Sequence, residues 1–214
     1  MTVPEHDPIM LSQTDQAESA VTEGASVPRP RVRYARWARE IIETLIVFAV
    51  VYVLVNLLTA RFVVDGTSMA PSFHTGQYVI VNRVAYLLDE PQRGDIVVLH
   101  SPEDPQLDLI KRVIGLPGET VAVRDGQVFI NGIPLNEPYL NAPPRYQGEW
   151  TLGSDQYFVL GDNRNNSRDS HSFGPVPRTA LVGKAAAVYW PLQDARLIAH
   201  YDYTATASTA ADTP

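Results

Sequence analysis

Residues 41–60, IIETLIVFAVVYVLVNLLTA, constrain the chain more than any other segment, because Glu43 is their only formal charge. Leucine, isoleucine and valine are spread all around a helix written through them, with no polar face for solvent. Twenty helical residues at ~1.5 Å rise span ~30 Å, the thickness of a bilayer's hydrocarbon core. Glu43 falls in the first turn, where its carboxylate reaches the headgroups. Five arginines, at positions 29, 31, 33, 36 and 39, stand just before the run. A cleaved leader fits poorly: its apolar core is ordinarily ~7–15 residues, and Leu58 is large for the position three before a cut. A buried core helix does not account for the arginine cluster. The reading is a transmembrane helix over 41–60, preceded by a basic juxtamembrane segment, 29–40. Because the positive flank stays inside, the N-terminus is expected in the cytoplasm and everything from Arg61 outside.

The flanks differ from the span. Residues 1–28 carry five acids and no Lys or Arg, which reads as a disordered acidic cytoplasmic tail. Residues 204–214 are small and polar and read as a second disordered tail. The whole chain has 24 acidic and 17 basic residues, a net charge of −7. That balance argues against a general nucleic-acid binder, which needs a basic surface for phosphates. Cysteine is absent, which excludes disulfides, thiolate metal sites and a cysteine nucleophile.

Residues 61–203 are expected to be the folded, extracytoplasmic part. Short apolar runs recur there: 77–82, 95–100, 109–114, 120–123, 127–130, 157–160 and 184–190. Asp125-Gly126 between two alternating runs marks a tight hairpin, and Asn131-Gly132 and four prolines mark loops. No amphipathic pattern of ten or more residues follows residue 60. The expected fold is mainly β, a partly open antiparallel, barrel-like domain behind one transmembrane helix.

Chemistry is harder to place. The five histidines lack metal-ligand spacing, and neither a GxxxxGK[ST] loop nor a GxSxG elbow is present. The lysines say more. Against fifteen arginines there are two lysines, Lys111 and Lys184. Only lysine can lose its proton when desolvated. Lys111 lies in Leu109-Ile110-Lys-Arg-Val113-Ile114, whose aliphatic neighbours disfavour an ammonium. A surface lysine snorkelling past those neighbours is the ordinary alternative, and alternation does not decide, since Arg112 is flanked equally. Ser68, in GTSMAPSF (66–73), follows a glycine turn and could be activated by a neutral amine without histidine; a plain polar loop is the alternative.

Four stretches together carry a resemblance: GTSMAPSF (66–73), RGDIVVL (93–99), DLIKRVIGLPGE (108–119) and VLGDNRNNSRDSHSFGPV (159–176). In order and spacing, with the preceding span, they resemble the bacterial type I signal peptidases, Ser/Lys endopeptidases of the leader peptidase family. The resemblance implies Ser68 as nucleophile and Lys111 as general base, with no cofactor and no metal. It implies that the Ser68 backbone N–H, with Gly66 and Thr67 beside it, serves the oxyanion, and that Ser167 hydrogen-bonds and orients the lysine. Arg112, Asp162, Arg164 and Asp169 match polar positions bracing the site. The implied partners are signal peptides of exported preproteins, cut after small residues at −3 and −1, the lipid bilayer, and the secretion machinery by proximity.

Two positions depart from part of that family. Gly66 stands where some members have a serine that completes the oxyanion hole, which leaves Thr67, a backbone N–H or water for the second donor. His171 stands where an arginine commonly follows the Asp-Ser pair, so an ion pair from Asp169 to it would depend on pH. The stretch after the lysine is short, so any extra β-domain is expected to reduce to about one hairpin, 119–135. Ser68 follows Ala60 by only eight positions, a reach below roughly 29 Å. The nucleophile is thus expected near the outer membrane face, with an extended substrate pairing along strand 61–65 or a neighbour and Phe73 or Trp150 dipping into the interface. A self-cleaving repressor-type Ser/Lys protease and a membrane-anchored non-catalytic β module are the competing readings.

Overall fold

The computed structural model of the chain describes residues 31–201 and 203. The expected tails 1–28 and 204–214 lie outside the described residues. Two compact units divide the chain, Met1–Phe48 and Ala49–Pro214. Helix α1 (Arg31–Leu58) begins in the first and ends in the second. Its Arg36–Leu58 stretch is long and apolar enough to cross a membrane, and none of it is buried against protein. Several polar side chains along and just after it find partners on the helix itself, as an environment without water favours. Arg39 Nε meets Glu43 Oε1 at 2.6 Å one turn on. Thr44 donates to the Glu40 carbonyl at 2.8 Å, Asn56 to that of Tyr52 at 2.7 Å, and Thr59 to that of Val55 at 2.7 Å.

The helix stops at Leu58, two residues short of the expected end. Thr59 and Ala60 already pair with Asn82 and Val81, because Ala60 is drawn into the core at 8% exposure. Strand β1 (Thr59–Val63) is followed by β2 (Tyr78–Asn82), the single-turn α2 (Ala85–Leu88), β3 (Ile96–His100) and β4 (Asp108–Gly115). Next come β5 (Thr120–Arg124), β6 (Gln127–Ile130), β7 (Ile133–Pro134), β8 (Gly148–Thr151) and β9 (Gln156–Leu160). The short α3 (Ser170–Phe173), β10 (Val176–Pro177), β11 (Leu181–Trp190) and β12 (Arg196–Leu197) complete the order. The expected mainly β architecture is what the chain adopts.

The larger sheet runs β1-β2-β11-β3-β4-β9-β10, with β12 also on β11, and its pairings are antiparallel. Register shifts in β11 and between Val113 and Gly115 in β4 bend these strands, as bulges do. β3 is buried on both sides: Ile96 and Val98 join one core cluster, Val97 and Leu99 another. A strand so placed reads as an unbroken apolar run rather than an alternating one.

The smaller sheet, β7-β6-β5-β8, corrects the expectation of a single hairpin. Asp125 and Gly126 take φ of 52° and 75°, as a tight hairpin turn requires. Asn131 and Gly132, expected as a loop, repeat that geometry at 50° and 81° and turn β6 back into β7. β8 then closes on β5, and Leu152 and Phe158 join Ile114, Val121 and Val128 in the core beneath. Phe73 is 3% exposed inside the main core, and Trp150 packs on Phe158 with ring centroids 4.7 Å apart. Burial removes Phe73 from any interfacial role.

Candidate active site

Ser68 and Lys111, forty-three residues apart in sequence, meet at 2.9 Å between Oγ and Nζ. Each is placed by its neighbours. After β1 the chain turns at Gly66, with φ of 91°, where a side chain would be strained. Met69 and Phe73, 1% and 3% exposed, then anchor the loop in the core, so Ser68 is held between a turn and a plug. Lys111 comes from β4, which is paired on both edges by β3 and β9. Lys111 itself pairs with Val97 of β3, β9 joins the other edge from Arg112 onward, and the lysine is 2% exposed. The snorkelling alternative is thereby overturned. The amine also donates to its own strand at the Ile110 carbonyl, 2.9 Å away. Burial lowers its pKa from 10.5 to about 8, against the opposing influence of Asp169 and Asp162.

The pair opens on a cleft of about 190 Å³ whose walls include Phe62, Val63 and Val64 on one side and Leu109 and Ile110 on the other. β1 is an edge strand of the sheet, so its outer hydrogen-bonding groups border this cleft.

Around the dyad, the other expected residues resolve into two ion pairs. Arg112 grips Asp162 with two hydrogen bonds, 2.8 and 2.7 Å, and donates to the Gly94 carbonyl at 3.2 Å. Asp162 also accepts from Ser72 Oγ at 2.5 Å. Arg164 pairs instead with Glu137, at 2.7 and 2.6 Å, with the arginine side chain fully buried. Glu137 carried no mark in the sequence: a carboxylate in a Pro-flanked loop has no periodicity to betray its burial. Asp169 accepts from the Gly161 N–H at 2.8 Å and from His171 Nδ1 at 2.7 Å, so the expected aspartate–histidine contact forms. Tyr146 stacks flat on that imidazole at 4.0 Å.

Ser167 departs from expectation. Its Oγ is buried and has no hydrogen-bond partner among the described residues, while the lysine's contacts go to Ser68 and Ile110. The hydroxyl is pressed toward Gly161, where a Cβ would stand 2.2 Å from it and 2.4 Å from the Ser68 carbonyl. The serine therefore sits beside the Ser68 backbone rather than on the amine. Thr67 Oγ1 accepts from Asn166 Nδ2 at 2.9 Å, which leaves its own proton to donate. Asn163 N–H holds the Ser68 carbonyl at 2.9 Å, and its side chain holds that of Thr67 at 3.1 Å. Both asparagines lie in the GDNRNNS stretch, where nothing local marks Asn163 as a holder of the Thr67 and Ser68 carbonyls or Asn166 as a partner of the Thr67 hydroxyl.

A family model described as "Signal peptidase, peptidase S26" matches residues 35–190, from within α1 to the end of β11. The chain belongs to the signal peptidase family. A signal peptidase I of Leptolyngbya laminosa is 47% identical over 141 residues, covering 62% of this chain and 69% of that protein. Signal peptidase I S of Bacillus subtilis is 37% identical over 175 residues, covering 75% and 91%. A solved signal peptidase I from Enterococcus faecalis aligns with a TM-score of 0.42 at 38% identity, covering 45% of this chain and 97% of that one. Family membership sets aside the repressor-type protease and the non-catalytic module.

Proposed function

We propose that Ser68 and Lys111 are the nucleophile and general base with which this member of the signal peptidase family cuts its substrates. The chain is a membrane serine endopeptidase that removes signal peptides. The observation that carries the residue assignment is the 2.9 Å contact between a buried lysine amine and a serine hydroxyl at the floor of an apolar cleft.

The neutral amine takes the Ser68 proton as Oγ attacks the scissile carbonyl carbon. The resulting oxyanion is met by the Ser68 backbone N–H and by the Thr67 hydroxyl. The ammonium then gives its proton to the departing amine as the C–N bond breaks, leaving an ester on Ser68. A water, deprotonated by the same amine, attacks that ester and releases the second product with Ser68 re-protonated. Lys111 thus ends as it began. The cleft's aliphatic walls favour small residues at −3 and −1, and the open edge of β1 favours an extended substrate paired along it. The N-terminus lies in the cytoplasm and the catalytic unit outside, with 29–40 at the inner headgroups. Preproteins emerging through the bilayer bring the enzyme beside the secretion machinery.

Cleavage of a purified precursor by wild type, Ser68→Ala, Lys111→Ala and Lys111→Arg tests the dyad. Each variant is expected to lose at least ~10³-fold in kcat/KM, the scale of losing one member of such a unit. The arginine keeps the charge and cannot act as a base, so near-normal cutting by Lys111→Arg would end the assignment.

A further inference from the structure

Beyond β12 the chain leaves the sheet and passes over Gly94 and Asp95, just before β3. The Ile198 N–H is held by the Ala186 carbonyl at 2.9 Å. His200 Nδ1 then meets Asp95 Oδ1 at 3.1 Å. The Tyr201 carbonyl lies over Gly94 so closely that a Cβ there would be 2.4 Å from it, and the Tyr203 ring would be at 3.1 Å. Tyr139, Tyr201 and Tyr203 form three edge-on contacts, with centroids 4.6 to 6.4 Å apart.

Two of these contacts reach the site's charged residues. The Tyr139 ring lies 4.1 Å from the Arg112 guanidinium, which stacks on it. Tyr139 Oη has a single proton, given to Glu137 Oε1 at 2.6 Å, so at the 2.5 Å contact with Tyr203 the latter is the donor. The hydrogen bonds therefore run from Tyr203 to Tyr139 to Glu137, which also receives Arg164. Arg112 stands next to Lys111 and holds Asp162, and the following residue, Asn163, holds the Ser68 carbonyl.

We propose that Tyr203 is a positioning residue, which fixes Tyr139 beneath Arg112 so that the Arg112–Asp162 pair keeps Ser68 at its distance from Lys111. Residues 198–201 are the strap that leads to it. Nothing in the reaction touches Tyr203; it acts through Tyr139 and Arg112. This rests on the Ser68–Lys111 assignment.

The test uses the full chain in detergent with a purified precursor, comparing wild type, Tyr203→Ala, Tyr203→Phe and Lys111→Arg. Tyr203→Ala is expected to lower kcat by about ten- to a hundredfold, the effect of a small misplacement, with KM within about twofold. Tyr203→Phe keeps the ring contacts but loses the hydrogen bond to Tyr139, and is expected to fall between Tyr203→Ala and wild type. A normal kcat in Tyr203→Ala overturns the proposal, and so does a loss that Phe does not relieve and that follows the fraction of folded enzyme on melting. The Lys111→Arg arm separates the two readings. If it is inactive while Tyr203→Ala is normal, only the strap's role falls. If it is active, the dyad assignment falls and takes this proposal with it.

Discussion

At the scale of single residues, the amine of Lys111 governs what pH does to this protein. With its pKa lowered from 10.5 to about 8 by burial, most molecules carry Lys111 protonated at neutral pH, and on the proposed mechanism that form is idle. The rate at low substrate is therefore expected to rise with pH through a single ionisation near 8, read from kcat/KM of precursor cleavage between pH 6 and 9. Stability should follow the same group. Between about 8 and 10.5 the unfolded chain holds a proton that the folded chain has released, so stability rises with pH across that window. Below it, the buried charge costs about 3 kcal/mol relative to alkaline pH. Lys111→Met is accordingly expected to be inactive yet to melt above wild type at pH 6, with the gap closing toward pH 10. Calorimetry at the two pH values checks this. Gly161 offers a steric counterpart. A Cβ there would stand 2.4 Å from the Ser68 carbonyl and 2.2 Å from Ser167 Oγ. Gly161→Ala is expected to lose more than about a hundredfold in kcat through displacement of the nucleophile.

Elements decide which of these residues could be read in advance. Lys111 stood out because a chain rich in arginine kept a lysine among aliphatics, but the strand's alternation left its burial open. What packs over that face of the sheet settles it, and those neighbours come from distant parts of the chain that a local pattern does not show. The Asp125-Gly126 turn was legible because two positive φ angles need those residue types. Asn131-Gly132 carries the same signal, but β7 is only two residues long, too short a run to mark a returning strand. β8 was hidden by the proline-rich stretch before it. Glu137 and Tyr139 were illegible for a different reason: they lie in an irregular loop, and their burial depends on Arg164 and Arg112 reaching them from distant elements. Removing that loop carboxylate leaves a buried guanidinium without its partner. Glu137→Ala is expected to cost roughly 3–5 kcal/mol of stability, measurable as a shift in urea midpoint.

Across the whole molecule, the larger features were the more legible ones. The apolar run, the arginine cluster, the mainly β pattern and the four spaced stretches were all visible in one dimension. The exact hand-over from helix to sheet was not, because Thr59 and Ala60 are as apolar-compatible as the residues before them while their pairing to β2 is a tertiary choice. If the span anchors the cutting site to the membrane surface, deleting residues 1–57 should spare hydrolysis of a short soluble peptide. It should lower cleavage of a vesicle-embedded precursor by more than about tenfold, since the tether supplies the local concentration. Comparing the two substrates on one enzyme preparation checks this.

The helix hands its chain to β1 with no intervening residue, and β1 is itself an edge of the cleft. Such a joint leaves no slack. A glycine-serine insert between Leu58 and Thr59 would work like lengthening the leg of a fixed drill press: the bit stays sharp, but it bores at another depth. The site in each precursor that is presented to Ser68 would then change with insert length, even though no group in the cleft had been touched.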